Sequence, residues 1–306
     1  MPVRLSDRIG RYGAWASGLF LSAVVLSIVL WLLINGLRNI DWTFLSQNPA
    51  SGSLETGMAG GILSPLVGTL IITVIGISFA LPIGLATAIF LAEYGKPLWL
   101  KRMADTAIDL IFGVPSIVFA LFGLAVFSSP ALVFLSEPVG TGGRATAKSF
   151  FCAGLMMALI ALPPIVRSTQ AAIAQVPNVQ REAAYALGKT RFAMIRKIVL
   201  PAVRPGISTG TILGMGRIAG DTAIVWILLG GAVLSPPPDG WWRPDNFLAF
   251  LHGTGSTLTT YVYFASPAGE GNSAGKAYGA ALILFAVVFI INIVLGRAGQ
   301  RRIGRL

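Results

Sequence analysis

The sequence predicts an all-α integral membrane protein, a bundle of six transmembrane helices. Hydrophobic residues make up 55% of the 306 positions and charged residues only 11%, against about 25% charged in ordinary soluble domains. Six apolar runs, 12–36, 62–92, 106–128, 149–168, 206–234 and 277–296, reach the roughly 20 residues that a helix needs to cross a hydrocarbon core. Lys and Arg sort by side: with the N-terminus inside, 17 of the 23 fall in inside segments, five fall outside, and Arg217 lies within a span. The positive-inside rule then places both termini in the cytoplasm. The net charge of +11 follows from that asymmetry, so a nucleic-acid reading loses its main support.

The first run follows Arg4, Arg8 and Arg11. Its apolar region is too long for a secretory signal and no A-x-A-like site follows, so it is expected to be an uncleaved anchor. The second and fifth runs are long and interrupted by Gly and Pro, which predicts tilt or kinks. Pro82, Pro115 and Pro163–Pro164 free backbone carbonyls within spans and are expected to mark bends lining a pathway. The fourth run holds Cys152, the only cysteine, so no intrachain disulfide and no metal or redox site is implied. In the fifth, glycines at 206, 210, 214, 216 and 220 recur at the four-residue spacing that lets helices approach closely in lipid.

The outside loops are rich in Gly, Pro and Ser and are assigned no domain. The longest, 235–276, contains Trp241, Trp242, Tyr261, Tyr263 and Phe264. These suit an interfacial belt or a docking surface. The lone His252 in the same loop reads as solvated. No internal repeat is visible, which weakens a secondary transporter built from inverted halves. An intramembrane enzyme would need convergent nucleophile, base or metal ligands, and one Cys and one outside His do not provide them.

Residues 181–201, "REAAYALGKTRFAMIRKIVLP", carry six formal charges between two apolar spans. The "GKT" at Gly188–Thr190 is not a phosphate-binding loop, because Ala183 stands where the motif needs glycine and no strand precedes it. Two short helices are expected instead. Asn178 is the candidate N-cap of the first, which Gly188 can end in a left-handed conformation. The second puts Phe192, Ile195 and Val199 on one face with Arg191 and Arg196 opposite, until Pro201 intervenes. Such an amphipathic element on the cytoplasmic surface is either held by anionic lipid or docks another protein.

Two intramembrane arginines invite functional readings. Arg217 lies about 16 Å along its helix from Gly206, near mid-bilayer, where a charge must face the bundle interior or water. Asp221 follows at i+4. The two either neutralise each other, or Arg217 offers its guanidinium fork to a passing anion while Asp221 sets its orientation. Arg167, at the cytoplasmic end of the fourth span, either snorkels to lipid headgroups or meets substrate on exit. Asp109 could pair with one of these arginines or with Arg102.

Glu182-Ala183-Ala184, then Gly188 after three residues, then Ile198-x-Leu200-Pro201 after nine more, resembles the EAA loop of ABC importer permeases. "GGILSPLVGTLIITVIGISFALPIGLATAIFLAEY", "GVPSIVFALFGLAVF", "ALPPIVRSTQAAIAQVP" and "GEGNSAGKAYGAALIL" are similar to permeases of the phosphate-specific Pst importer, the PstA type more than the PstC type. "RIAGDT" at 217–222 keeps the Arg and the acid of a segment in those permeases. The resemblance implies a type I ABC importer permease bundle (MetI-like) that carries inorganic phosphate into the cytoplasm. Glu182, Ala183, Ala184, Gly188 and Pro201 would form the coupling site for the ATPase; Arg217, Asp221 and Arg167 would line the substrate pathway.

It implies as partners a second Pst-type permease in a heterodimer, two ATP-binding subunits and an external phosphate-binding protein, in a bacterial or archaeal plasma membrane. The chain itself would hold no cofactor or metal and catalyse no covalent reaction. The expected organisation is residues 1–57 for tail, first span and outer loop, 58–296 for the permease domain with its coupling loop at 170–204, and 297–306 for a basic tail. A permease for another oxyanion and an ion-coupled secondary transporter are the alternatives.

Overall fold

A computed structural model of the chain describes residues 5–49, 60–136, 138–139, 144–145, 147–230, 243–269 and 273–300. The expected boundary at 57/58, Trp241, Trp242 and the tail beyond 300 lie outside these residues. The chain begins with α1 (Leu5–Gly36) and a short α2 (Trp42–Ser46), followed by α3 (Leu63–Ile89), which runs on through a π-turn at Phe90–Tyr94. Next come α4 (Leu98–Gly113) and α5 (Ser116–Phe127), then a two-residue antiparallel pairing of β1 (Pro138–Val139) with β2 (Arg144–Ala145). The second half holds α6 (Phe150–Ala174), α7 (Asn178–Ala186), α8 (Arg191–Met194) with a π-turn at Ile195–Val199, α9 (Leu200–Ala202) and α10 (Arg204–Gly220). It ends with α11 (Ala223–Leu228), α12 (Pro244–His252), α13 (Leu258–Ala265) and α14 (Ala274–Gln300).

Among the described residues, four helices are long and apolar enough to cross a membrane, and six if each of two bent pairs counts as one span. The chain is therefore a multi-pass membrane protein, but two of the expected spans are not single rods. The run 106–128 is split between α4 and α5, which meet at 108°. Pro115 is the cause: it forces Val114 into extended backbone (φ −79, ψ 131) and cannot donate to a continuing helix. The run 206–234 ends as a helix at Gly220, where Asp221 turns extended (φ −78, ψ 131) before α11. Pro82 and Pro163–Pro164, by contrast, sit inside unbroken helices.

The core is built around α6. It is apolar on nearly every face, and 72% of its most apolar window is buried, the pattern of a helix surrounded by others. It packs against α3 and α10, which also touch each other. Close approach of α10 depends on part of the glycine series. A Cβ on Gly206 would lie 2.3 Å from the Cβ of Ala172, and one on Gly210 would lie 2.9 Å from the Cα of Ile165. Gly214 faces Ala161 more loosely, and Gly216 and Gly220 have nothing within 4 Å. The Ser168 hydroxyl donates to the Gly206 carbonyl at 2.8 Å across the seam.

The loop 235–276 is more structured than its Gly- and Pro-rich composition suggests, because it contains α12 and α13. A reciprocal capping box between Thr257 and Thr260 starts α13. Tyr261 is not an interfacial aromatic: it is fully buried, edge-on to Phe44 at 6.3 Å, in a cluster with Ile62 and Leu258. Tyr263 and Phe264 instead pack on Trp226 of α11, with ring centroids at 5.0 and 4.5 Å.

Gly210→Ala is expected to lower stability by about 1–3 kcal/mol, because the added methyl meets backbone on the facing helix. Gly216→Ala should be neutral or raise stability by up to about 1 kcal/mol through helix propensity. Thermal unfolding of the two variants in the same detergent checks the contrast.

Candidate functional site

The segment 176–204 folds as expected in outline and differs in detail. Pro177 occupies the cap position of α7 in extended backbone, and Asn178 is the first helical residue without capping it. Pro is pre-organised for that entry and lacks the N–H that a cap would have to satisfy. The Asn178 side chain instead accepts from Arg181 Nη1 at 3.0 Å. Gly188 ends the helix at φ +73, with its N–H on the Tyr185 carbonyl and the Lys189 N–H on the Ala184 carbonyl. That pair of bonds is a Schellman turn, which needs a residue tolerant of left-handed backbone. Thr190 then caps α8 through the Ala193 N–H at 3.3 Å.

Ala184, Met194, Ile195 and Val199 point inward and pack with Ile173, Val176 and Val203. Ala184 therefore belongs to the interior of the loop, not to its outer surface, although it is part of the EAA pattern. Phe192 is also misplaced by the amphipathic reading: it is 66% exposed. The π-turn is the reason, since its wider winding brings Met194 and Ile195 in line with Val199 and leaves Phe192 on the far side. Glu182, Ala183 and Gly188 are exposed, beside Val179, Tyr185 and Leu187, which leave 72%, 47% and 78% of their surfaces open. Pro201 is half-buried within α9. The outer face of the segment is thus uncovered and mixed, small at Ala183 and Gly188, apolar at Val179 and Leu187, and acidic at Glu182.

A partly buried arginine that the sequence reading passed over holds this surface in place. Arg181 sits directly before the Glu-Ala-Ala triplet, and its guanidinium reaches Glu93 in the π-turn that ends α3, at 3.0 and 3.2 Å. The same side chain donates to the Ile173 and Val176 carbonyls at 2.9 and 2.7 Å and to Asn178. All five guanidinium N–H donors are used. The pair is well buried, with 18% of the Arg181 and 6% of the Glu93 side chain accessible. Three elements, the end of α3, the end of α6 and the start of α7, are keyed together by one side chain.

The intramembrane charges are arranged differently from the expected pairing. Arg217 and Asp221 do not form an ion pair. Asp221 turns to cap α11, its carboxylate accepting from the Ile224 N–H at 2.9 Å, while its carbonyl accepts from the Thr259 hydroxyl at 3.3 Å. The helix break supplies the reason, since extended backbone at Asp221 removes the i+4 geometry. The Arg217 guanidinium lies over the Phe112 ring, 5.3 Å from its centroid, where the ring face attracts the cation. Its N–H edge carries no carboxylate among the described residues.

Arg167 does not snorkel. It bonds the Asp105 carboxylate and the Gln170 side chain, each at 3.0 Å, and the Asp105 carbonyl at 3.3 Å, and it pairs with Asp109. Asp105 and Asp109 stand one turn apart on α4, and the arginine ties that helix to α6. Asp109 was a candidate partner for an arginine; Asp105 was visible only as an i−4 companion to it.

Up to six spans among the described residues, with α6 the most buried of them and a helical turn tethered at one end by Arg181, make up the architecture of a membrane permease. The family described as the binding-protein-dependent transport system inner membrane component matches residues 80–304, and the chain belongs to that family. It is 31% identical over 298 residues to the phosphate transport system permease protein PstA 1 of Mycobacterium tuberculosis (strain CDC 1551 / Oshkosh), covering 95% of this chain and 89% of the relative. PstA of Mycobacterium leprae (strain TN) is 32% identical over 88% of this chain and 79% of its own length. PstC of Pasteurella multocida (strain Pm70) is 33% identical over 71% and 70%.

The fold is shared with two solved structures. One is a bacterial alginate ABC transporter in complex with an alginate-bound periplasmic protein, with a TM-score of 0.59, 16% identity and 98% of both chains covered. The other is the inward-facing MetNI methionine ABC transporter, with a TM-score of 0.55, 20% identity and coverage of 79% and 94%. The fold is that of a MetI-like ABC importer permease.

Glu93→Ala should destabilise the loop end of the bundle by about 3–5 kcal/mol, because it leaves Arg181 buried without its counter-charge. Hydrogen exchange of residues 178–200 in the purified protein reports it. Protection there is expected to fall while α1 and α14 exchange as in the wild type.

Proposed function

We propose that the chain is a permease subunit through which inorganic phosphate enters the cytoplasm, driven by ATP hydrolysed in partner subunits. The observation that carries the coupling half of this reading is the uncovered outer face of residues 178–188, with Glu182, Ala183 and Gly188 exposed on a rigidly held turn. Small residues there let a partner approach the backbone, and the Schellman turn fixes the surface it meets. Phosphate as cargo is supported by the PstA and PstC relatives. It agrees with Arg217, whose planar fork suits a tetrahedral oxyanion.

In this mechanism the ATP-binding subunits dock on the EAA surface from the cytoplasm, the side that holds both termini. When they close, the displacement of α7 passes through the Arg181–Glu93 bond to α3 and through the Val199–Val203 packing to α10. Relative motion of α3, α6 and α10 opens the pathway to one side and then the other. Arg217 meets the anion near mid-membrane. Phe112 holds the guanidinium by its face and leaves the N–H edge free, which favours weak, reversible binding. Asp221 acts indirectly by fixing the break between α10 and α11. Arg167, occupied by Asp105 and Asp109, serves to anchor α4 rather than to bind substrate at rest.

A second Pst-type permease completes the pathway as a heterodimer, in keeping with relatives of both the PstA and PstC types. An external phosphate-binding protein delivers the anion to the opposite face. A permease for another oxyanion would use the same fork, and no feature of the site favours one.

Uptake of labelled phosphate into vesicles holding the reconstituted complex tests the assignment. Arg217→Gln should leave the complex assembled and lower uptake at least about tenfold, the loss expected for a charge-assisted hydrogen bond of roughly 1.5–3 kcal/mol. Gly188→Asp places a charge on the docking face and a side chain at positive φ, so ATPase binding or its coupling to uptake should fail. Wild-type uptake by both variants would reject these roles.

A further inference from the structure

The loop end of the bundle carries a groove that the transport reading does not use. It has a volume of about 440 Å³ and lies between the last turns of α3 and the helix that follows the Gly188 turn. Its walls are apolar, formed by Ile89, Phe90, Tyr94, Phe192, Ile195 and Leu200. Phe192 and Tyr94 leave 66% and 41% of their surfaces uncovered. Both walls contain a π-turn, Phe90–Tyr94 on one side and Ile195–Val199 on the other, a local widening often found at functional sites.

The rim of this groove is basic. Arg196 forms part of the wall, and the Arg191 guanidinium lies 4.8 Å over the Tyr94 ring. Among the described residues neither has a carboxylate partner, since Glu93 is taken by Arg181 and the other ion pairs belong to Arg167. The depth is set by α3. Its apolar span ends at Tyr94, and an aromatic followed by Lys96 at a span end marks the boundary between hydrocarbon and water. An apolar slot opening at that level beneath unpaired arginines complements a ligand with a hydrocarbon tail and an anionic head. Basic pockets between membrane helices take up anionic headgroups by this charge complementarity.

We propose that the groove between α3 and the α8–α9 segment binds an anionic phospholipid, with an acyl chain against Phe90, Ile195 and Leu200 and the headgroup phosphate on Arg191 and Arg196. The lipid would be drawn from the leaflet on the side of the coupling loop. It would brace the segment that carries that loop against the second span, next to the Arg181–Glu93 bond. The site goes beyond the transport reading and does not depend on which anion is carried.

The test uses the full complex in nanodiscs of phosphatidylcholine with a minor fraction of phosphatidylglycerol, and native mass spectrometry of the lipids it retains. Wild type should retain phosphatidylglycerol in preference to phosphatidylcholine. Arg191→Gln combined with Arg196→Gln should lower that preference at least about tenfold, as expected for removing two interfacial cations. Ala86→Trp, at an exposed position of the groove wall, should reduce retention of both lipids while the ATPase subunits stay bound. Inorganic phosphate at constant ionic strength should displace nothing.

Equal retention of the two lipids by wild type would overturn the site, as would an unchanged preference in the double variant or displacement of lipid by inorganic phosphate. Loss of the ATPase subunits from the double variant with lipid retention unchanged would also overturn it, and would make the groove part of the protein interface. Because lipid retention is read without transport, failure of phosphate uptake leaves its outcome unaffected.

Discussion

A methyl group on Gly206 would fall 2.3 Å from the Ala172 side chain, and one on Gly210 would meet the backbone of Ile165. The close approach of α10 to α6 is set by these two positions, and much else is arranged around it. In lipid there is no hydrophobic force to press helices together, so contact must come from packing and from hydrogen bonds between chains. The Ser168–Gly206 bond and the small residues along this seam supply both. With α10 held there and α3 packed against both, α6 is enclosed, and its C-terminal end becomes a fixed platform for the turn at 176–190.

Charges within this apolar frame are placed where one side chain can join several elements. Arg181 joins α3, α6 and α7, and Arg167 joins α4 to α6. Arginine suits such positions because its fork offers five donors in a fixed plane. A lysine at 181 would supply three donors from a single point and leave carbonyls at the end of α6 without partners. Arg217 belongs to a different class: it is held on one face by an aromatic ring and left open at its edge. The contrast between saturated and open guanidiniums separates Arg181 and Arg167, which brace the bundle, from Arg217.

The architecture was legible in composition, in the six apolar runs and in the EAA spacing, because hydropathy over a span integrates many residues. The left-handed Gly188 was legible because backbone rules there are local. What escaped depended on backbone geometry that residue type does not announce. Bends at Pro115 and in the fifth span were announced by Pro and Gly, but not that the second break falls at Asp221 and removes the Arg217–Asp221 pair. A π-turn kept Ile195 and Val199 in the inward stripe but replaced Phe192 with Met194. Glu93 and Arg181 lie far apart in the chain, and no spacing rule connects them. Tyr261 illustrates the reverse error: surrounded by turn formers, it read as a loop aromatic, whereas Thr257 and Thr260 had already marked the start of a buried helix.

The helix α1 packs chiefly along α14, where Gly36 meets Tyr278 and Leu282, and no residue in its most apolar window is buried. During synthesis α1 leaves the ribosome long before α14 exists. It must therefore persist in the bilayer as an isolated helix while the other spans are inserted and assembled. Its large exposed side chains, from Trp15 and Phe20 to Trp31 and Ile34, suit a helix that must be stable alone before it is stable in company, and its Ser17 and Ser22 hydroxyls are satisfied by carbonyls of their own helix. Closure of the bundle then waits on the pairing of α1 with α14, which forms only after α14 has been inserted.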